Sequence, residues 1–272
     1  MVPETHRYDR GSHPPPAVLL TSVLQHMGLM AVTLIFPLLV AQAAGVDPLT
    51  QSRYVALAMF AMGVSTLLQC WGGRLWGLSL GSGYLLPAVY TAAYLPAALA
   101  AAKTGGLGAV AGLTIAAGLT QIVLSRLLVR LRPYLTIEIV GLVVMMIGII
   151  LGIVAFKLMV GLGEADELAP ARTGAALAAL ATMIGLAVWG TPRLRAMAVL
   201  VGLGVGTVAH FALGLGGAAH ADPQWPAFAL PIWPLAMPSF EAALLPGFLA
   251  GALACTLRSF GDIVASQRAN TE

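Results

Sequence analysis

Two charged residues lie one helical turn apart inside the last apolar stretch of the sequence, Arg258 and Asp262. If that stretch crosses a membrane, the guanidinium costs at least about 2.5 kcal/mol on insertion scales, so it must face a polar interior and be paired. A spacing of four places both side chains on one helical face. The pair either neutralises itself, or Arg258 presents donors to a substrate carbonyl, an oxyanion or a counter-ion site while Asp262 holds it in place. We favour the second interpretation.

Two further sets of polar residues could do chemistry. Gln25 and His26 lie well inside the first apolar run, where water cannot satisfy both side chains, so they need partners on other helices. His26 is either structural or a proton-coupling group, because imidazole titrates near neutral pH. Glu138 opens a later apolar run, and a carboxylate is favourable at a helix amino end. We assign Glu138 a structural or gating role.

A cluster of helix-breaking residues interrupts the third apolar run. The segment reads Gly81-Ser82-Gly83-Tyr84-Leu85-Leu86-Pro87, and Pro96 follows. Non-helical backbone at membrane depth must be buried in protein or line a cavity. A glycine-interrupted segment of this kind indicates the substrate site of a secondary transporter. The alternative is that these glycines only permit close helix packing.

The composition requires a membrane setting. The 272 residues are 59% hydrophobic and 9% charged, with a mean hydropathy of +0.89, which excludes a water-soluble globule. A net charge of +3 without a basic run excludes a nucleic-acid partner. Cys70 and Cys255 lack the spacing of a disulfide framework or a zinc site. No nucleophile and base, carboxylate dyad or metal cluster stands at usable spacing, so we do not expect an enzyme or a bound cofactor.

Long unbroken apolar runs favour spanning helices over barrel strands. Eight runs are visible, at about 17–44, 53–70, 81–102, 107–128, 136–160, 173–190, 195–215 and 244–265. With the amino terminus in the cytoplasm, nine basic residues fall on the inner side and four on the outer side. This positive-inside bias predicts a multi-pass protein of the inner membrane with both termini cytoplasmic.

Two other patterns concern structure. The stretch 216–243 combines five prolines with tryptophan and phenylalanine, which predicts an outer interfacial loop that anchors at the headgroup level. The pairs Gly108/Gly112 and Gly202/Gly206 have the spacing of helix-packing faces.

Several of these segments together resemble the nucleobase:cation symporter-2 family, also called nucleobase-ascorbate or xanthine/uracil permeases. The similar segments are Gln25-His26, Gly81–Pro87, Arg130–Pro133 followed by Glu138–Gly141, and Ser259–Asp262. The likeness runs in order along essentially the whole chain, so it is more specific than any single motif.

The resemblance implies an all-α integral membrane protein, part of a 7+7 inverted-repeat transporter fold with a discontinuous third segment. It divides the chain into a cytosolic tail (1–16), core segments one to four (17–132), gate segments five to seven (133–215), the outer loop (216–243) and core segment eight (244–272). It also implies that Gln25-His26 join a polar network. The backbone at Gly83 and Tyr84 lines the substrate cavity, and segment eight supplies the main side chain to the base.

Two departures from the family pattern affect the expected function. In better-known members a glutamate on segment eight hydrogen-bonds the base, whereas the matching position here is Arg258. A guanidinium only donates, so the preferred ligand should be rich in acceptors or negative, such as xanthine or urate. Alternatively, Arg258 occupies the place of a coupling cation and makes transport cation-independent. The other departure is length, because the chain stops after segment eight.

The function expected from residues and resemblance is secondary active transport of nucleobases by alternating access, coupled to H+ or Na+ where coupling occurs. The alternatives are an anion carrier of the related fold and a non-transporting membrane remnant. Expected partners are the lipid bilayer, a small nucleobase or anion and, through the gate domain, a second copy of the chain.

We expect that the 272-residue chain alone does not transport, because a cavity between two opposed half-helices needs both of them. The measurement is uptake of labelled xanthine into liposomes that contain the purified chain. Saturable uptake would contradict this expectation.

Overall fold

A computed structural model describes residues 15–75, 78–79, 81–83, 85–131, 137–160, 170–191, 194–195, 197–215 and 236–271. The predicted tail and most of the predicted outer loop lie outside these residues. The helices are α1 (Pro16–Thr33), α2 (Ile35–Ala43), α3 (Pro48–Trp71), α4 (Leu95–Leu131), α5 (Ile137–Val160), α6 (Pro170–Trp189), α7 (Ala198–Ala212) and α8 (Leu245–Thr271). Short 3-10 helices at Ala92–Tyr94 and Ala242–Leu244 precede α4 and α8.

The prediction of an all-α membrane protein is confirmed. Within the described residues, five helical stretches are long and apolar enough to cross a membrane: Pro16–Ala43, Pro48–Trp71, Ala92–Leu127, Pro170–Trp189 and Ala242–Ile263. Large apolar side chains such as Leu67 and Leu119 are exposed on these helices. The described strands form one small antiparallel ladder, β1 (Arg74–Leu75) with β2 (Leu78–Ser79).

The first span is bent at Leu34, where α1 ends and α2 begins. Pro37 follows within one turn, and a proline in a helix has no N–H for the carbonyl four residues earlier. That carbonyl belongs to Thr33, whose hydroxyl donates back to Met30 O at 2.8 Å. At the bend, the Thr33 carbonyl therefore lacks the helical N–H donor that a residue other than proline would supply at position 37.

A break at Gly106 divides α4 into two arms. Gly106 has φ 64° and ψ −160°, a conformation that glycine adopts at little cost. The first arm follows the extended stretch 85–90, and the second arm runs to Leu131. The break lies where the sequence placed the end of segment three and the start of segment four, at about residues 102–107, and the division into two membrane segments stays a prediction.

The hydrophobic core joins α2, α4 and α8. Half of its twelve buried members are alanines, which permit close approach of helix backbones. The largest fully buried side chains are Phe248 on α8 and Leu113 on α4. The rings of Tyr94 and Phe248 are in contact at a tilt of 43°, with their centroids 6.0 Å apart. This packing holds α8 against both arms of α4.

The two glycine pairs have different partners. A Cβ at Gly202 would lie 2.9 Å from Met183 Cε, so this pair packs against α6 as predicted for a helix face. Gly108 and Gly112 instead receive the extended stretch 237–240, with Ser239 N donating to Gly108 O at 3.0 Å. The prediction of a helix partner for Gly108/Gly112 is wrong, because the groove exposes a carbonyl that an extended backbone can reach.

Helices α6 and α7 form a second packed unit, and α1 contacts it. A Cβ at Gly28 would overlap the side chain of Leu200 on α7, so the two helices touch closely there. Helix α5 contacts both α6 and α8. The division into core and gate domains stays a prediction.

Asp47 begins α3 as its N-cap. Its Oδ2 accepts from Thr50 N at 3.0 Å, and its Oδ1 accepts from the Thr50 hydroxyl at 2.6 Å. These bonds favour the carboxylate, so the hydrogen bonds from Thr50 hold the pKa of Asp47 below its ordinary value of 3.8. Stabilisation from a lowered pKa is complete above the ordinary value and is lost as the pH falls through the lowered one.

We expect Asp47→Ala to lower the thermal unfolding midpoint at neutral pH, because one orphan N–H of α3 loses its acceptor. The difference from wild type should shrink on acidification. The measurement is a melting series in detergent across pH, with Asp47→Asn as the control that keeps an acceptor but does not titrate. A pH-independent difference between wild type and Asp47→Asn would contradict the assignment.

Candidate functional site

The centre of the site is an extended stretch, residues 85–90, that lies beside α3. Four hydrogen bonds attach this stretch and the residues before it to α3. Gly83 N donates to Gln69 O at 3.0 Å, Gln69 Nε2 to Ser82 Oγ at 2.8 Å, Ala88 N to Thr66 Oγ1 at 3.0 Å and Tyr90 OH to Ala58 O at 3.3 Å. Helix α3 therefore bonds two backbone amides, of Gly83 and Ala88, and two side-chain hydroxyls, of Ser82 and Tyr90.

Glycines make this approach to α3 sterically feasible. Gly72 ends α3 in the left-handed conformation, with φ 57°. Gly81 has φ 71°, and a Cβ there would lie 2.5 Å from Gln69 O and still closer to Leu68 O. Gly83 also has a positive φ, 74°. The predicted break of the third segment thus depends on glycine geometry.

The extended stretch ends at a helix amino terminus. Thr91 has extended backbone angles, and its hydroxyl accepts from Ala93 N at 3.3 Å, which caps the turn Ala92–Tyr94. The helix then continues into α4. A helix amino end carries partial positive charge and attracts negative or acceptor groups.

A cavity of about 670 Å³ lies next to this amino end. Its walls come from α1, α3, the extended stretch and α8. The lining residues are Leu29, Thr33, Ala61, Met62, Ser65, Gln69, Leu86, Pro87, Ala88, Val89, Tyr90, Thr91, Cys255, Arg258, Ser259, Asp262 and Ile263. This volume is in the range of small-molecule sites.

An ion pair forms the charged part of the cavity wall. Arg258 Nε lies 3.7 Å from Asp262 Oδ2, and the two side chains are 38% and 58% exposed. Nε of Arg258 faces Asp262, and a guanidinium carries further N–H donors on its two terminal nitrogens. Hydroxyls of Thr33, Ser65 and Ser259 add donors and acceptors.

The remaining wall is apolar and has unsatisfied backbone. Leu29, Met62 and Pro87 present carbon surface to the cavity. Within the part of the chain that the structure describes, the amides of Leu86 and Val89 have no hydrogen-bond partner. Apolar walls with a few convergent polar groups are typical of sites for small organic ligands.

The structure brings together some predicted site residues and not others. Arg258 and Asp262 line the cavity, whereas Gly83 lies beside it and is hydrogen-bonded to α3. Tyr84 lies outside the described residues. Glu138 is in the first turn of α5, exposed and away from the cavity lining.

Gln25 and His26 lie on α1, the helix that contributes Leu29 and Thr33 to the cavity lining. Gln25 precedes the lining residue Leu29 by one helical turn, so it shares that face. His26 Nδ1 is 2.7 Å from Ser22 O, which assigns the proton to Nδ1 because a carbonyl only accepts. The predicted polar network between these two residues and other helices stays a prediction.

Comparison with known proteins identifies the family. Residues 18–270 match the family model Xan_ur_permease, described as a permease family. The chain belongs to this permease family. No solved structure matches the chain.

Curated relatives are bacterial permeases. The chain is 28% identical to the xanthine permease of Bacillus subtilis (strain 168), over 70% of this chain and 43% of the relative. It is 30% identical to the uric acid permease PucK of the same organism, over 70% of this chain and 44% of the relative. It is 33% identical to the xanthine permease XanP of Escherichia coli (strain K12), over 52% of this chain and 32% of the relative. The chain spans less than half the length of these relatives.

Sequence reasoning missed most of the uncharged polar lining of this permease cavity. Ser65 and Gln69 are four residues apart on α3, and Cys255 and Ser259 repeat that spacing on α8. The spacing marks a polar stripe on each helix. The cavity shows that both stripes line the same space, which neither stripe indicates by itself.

We expect Gly81→Ala to destabilise the chain by at least about 1–2 kcal/mol, because a side chain at positive φ is strained and would overlap the end of α3. The matched control is Gly63→Ala within α3, where nothing lies within 4 Å of the new Cβ. Melting in detergent compares the two variants. Equal midpoints for both would contradict the packing described for the break.

Proposed function

We propose that this chain forms part of a secondary transporter for acceptor-rich nucleobases of the xanthine and urate type. The observation that carries the proposal is the meeting of Arg258, a helix amino end and unpaired backbone amides in one cavity. The relatives' names, xanthine permease and uric acid permease, support the same substrate class.

The lining suits a flat heteroaromatic ring with carbonyl groups at its edge. Arg258, the Ala92–Tyr94 amino end and the amides of Leu86 and Val89 are donors, which match carbonyl and ring-nitrogen acceptors. Asp262 and the serine hydroxyls accept from ring N–H groups. The apolar side chains would cover the faces of the ring.

Alternating access requires two bodies that move against each other. We assign the core to 17–132 with 244–272 and the gate to 133–215. The shared core of α2, α4 and α8 and the separate pairing of α6 with α7 support this division. The close contact of Gly28 with Leu200 is then a point where core and gate slide or separate.

The membrane assignment is also part of the proposal. The multi-pass helices and the excess of basic residues on one side support an inner-membrane protein with cytoplasmic termini. Gln25 and His26 are proposed to belong to the polar network of the substrate site, and Glu138 to have a structural or gating role. No catalytic reaction is assigned. A homodimer through the gate domain belongs to the same proposal.

An anion carrier of the related fold is the second candidate. It is favoured by the combination of a guanidinium and a helix amino end, because both attract negative charge. The apolar walls favour a nucleobase over a small inorganic anion, since sulfate would leave them without contacts.

The decisive residue is Arg258. We expect cells that express the complete protein to take up labelled xanthine, with unlabelled urate competing better than uracil. In Arg258→Glu, uracil should compete better than urate, with the ratio of their inhibitory concentrations shifted by about tenfold. The reason is that a carboxylate accepts hydrogen bonds where the guanidinium donates them. The measurement is initial uptake rate against competitor concentration.

The matched control is Arg258→Lys, which keeps a cation but loses the planar set of donors. It should weaken uptake while the ranking is preserved. Unchanged ranking in Arg258→Glu would contradict the assigned role, and inhibition by sulfate rather than by bases would favour the anion carrier.

A further inference from the structure

Two donor groups of the cavity wall lie on different helices. Thr91 begins the turn Ala92–Tyr94 on one part of the wall, and Arg258 of α8 forms another part. A ligand that contacts both groups at once needs them at a fixed separation, because a hydrogen bond weakens steeply when donor and acceptor are misaligned. The residues that set this separation therefore bear on binding even where they do not touch the ligand.

Tyr94 connects the turn to α8. It is the last residue of the turn, and its ring contacts the ring of Phe248 on α8. A Cβ at Gly251 of α8 would lie 2.7 Å from Tyr94 Cδ1. Helix α8 thus approaches the turn so closely that a larger residue at position 251 would displace the Tyr94 ring or the helix.

A hydrogen bond holds Tyr94 from the second arm of α4. Gln121 Nε2 on that arm donates to Tyr94 OH at 3.0 Å, in a partly buried position. The Gln121 side chain also interacts with the thiol of Cys255 on α8. Gln121 therefore bridges the turn and α8, since it contacts a side chain of each.

One face of α8 carries both these contacts and the cavity lining. Gly251, Cys255 and Arg258 follow one another at spacings of four and three residues, which places them on the same helical face. The last two line the cavity, whereas the first packs on Tyr94. A shift of the Tyr94 ring would therefore change the position of Arg258 relative to Thr91.

We propose that Tyr94 and Gln121 are positioning residues that set the separation between the turn Ala92–Tyr94 and Arg258. The inference rests on the proposed function and adds a determinant of substrate size at the same site. A base of two fused rings carries acceptors at both ends, so it can contact both groups at once and depends on their separation. A single-ring base is shorter and depends on that separation less.

The test measures equilibrium binding of labelled xanthine to the purified complete protein, with unlabelled uracil as the single-ring competitor. Tyr94→Phe and Gln121→Leu each remove the hydrogen bond and keep a side chain of similar size. Each should raise the Kd of xanthine about three- to tenfold, the range of one lost hydrogen bond. The Kd of uracil should change by less than about twofold, because its binding needs only one of the two groups.

A double variant separates positioning from stability. Tyr94→Phe combined with Gln121→Leu leaves neither partner of the bond behind, so its thermal unfolding midpoint should recover towards that of wild type. Its Kd for xanthine should stay raised, because the bond that sets the separation is still missing. Recovery of both the midpoint and the Kd would overturn the positioning role.

Gly251→Ala displaces the same contact without altering a polar group. It should weaken xanthine binding more than uracil binding, because the new Cβ pushes against Tyr94. The matched control is Gly118→Ala on α4, where nothing lies within 4 Å of the new Cβ. A second control is Thr120→Val, which removes a hydroxyl that donates within its own helix, to Ala116 O at 2.8 Å. Both controls should keep the wild-type Kd for each base.

The outcomes distinguish the two proposals. An unchanged ratio of xanthine to uracil affinity in Tyr94→Phe and Gln121→Leu would overturn the positioning role and leave the proposed function intact. Failure of the wild-type protein to bind any base would overturn both proposals.

Discussion

The constraint on which the structure depends is the need to satisfy backbone polar groups inside an apolar protein. Residues 85–90 are extended within a bundle of spanning helices, where an unpaired amide or carbonyl is expensive. The Thr66 hydroxyl of α3 accepts from the Ala88 amide of this stretch, and Ala58 O of α3 accepts from the Tyr90 hydroxyl. Leu86 and Val89 line the cavity, so their backbone lies beside the space that a polar ligand would occupy.

Small residues allow the polar groups to meet. Alanines make up half of the buried core between α2, α4 and α8, and Gly81 allows the chain to pass close to the end of α3. Gly108 and Gly112 accept an extended backbone that leads into α8. Helix α8, which this stretch leads into, carries Arg258, and Arg258 lines the same cavity as Thr91.

Membership of the permease family places this geometry in a membrane protein. A guanidinium and a helix amino end on the same cavity both favour ligands that carry hydrogen-bond acceptors. Asp262 lies on the same helix as Arg258 and forms an ion pair with it. The ion pair and the helix end therefore bear together on the proposed substrate preference.

The helical segments, the break near Gly81 and the kink by residue 106 were predictable, because apolar run lengths and glycine positions are local properties of the sequence. The pairing of Arg258 with Asp262 was predictable for the same reason, since it follows from helical spacing. The sequence could not reveal that Gly108 and Gly112 contact the extended stretch 237–240. It also could not reveal that Thr33, Ser65 and Gln69 line the cavity. Those contacts link residues far apart in the chain, and only the packing of α1, α3 and α8 around one space decides which polar groups share it.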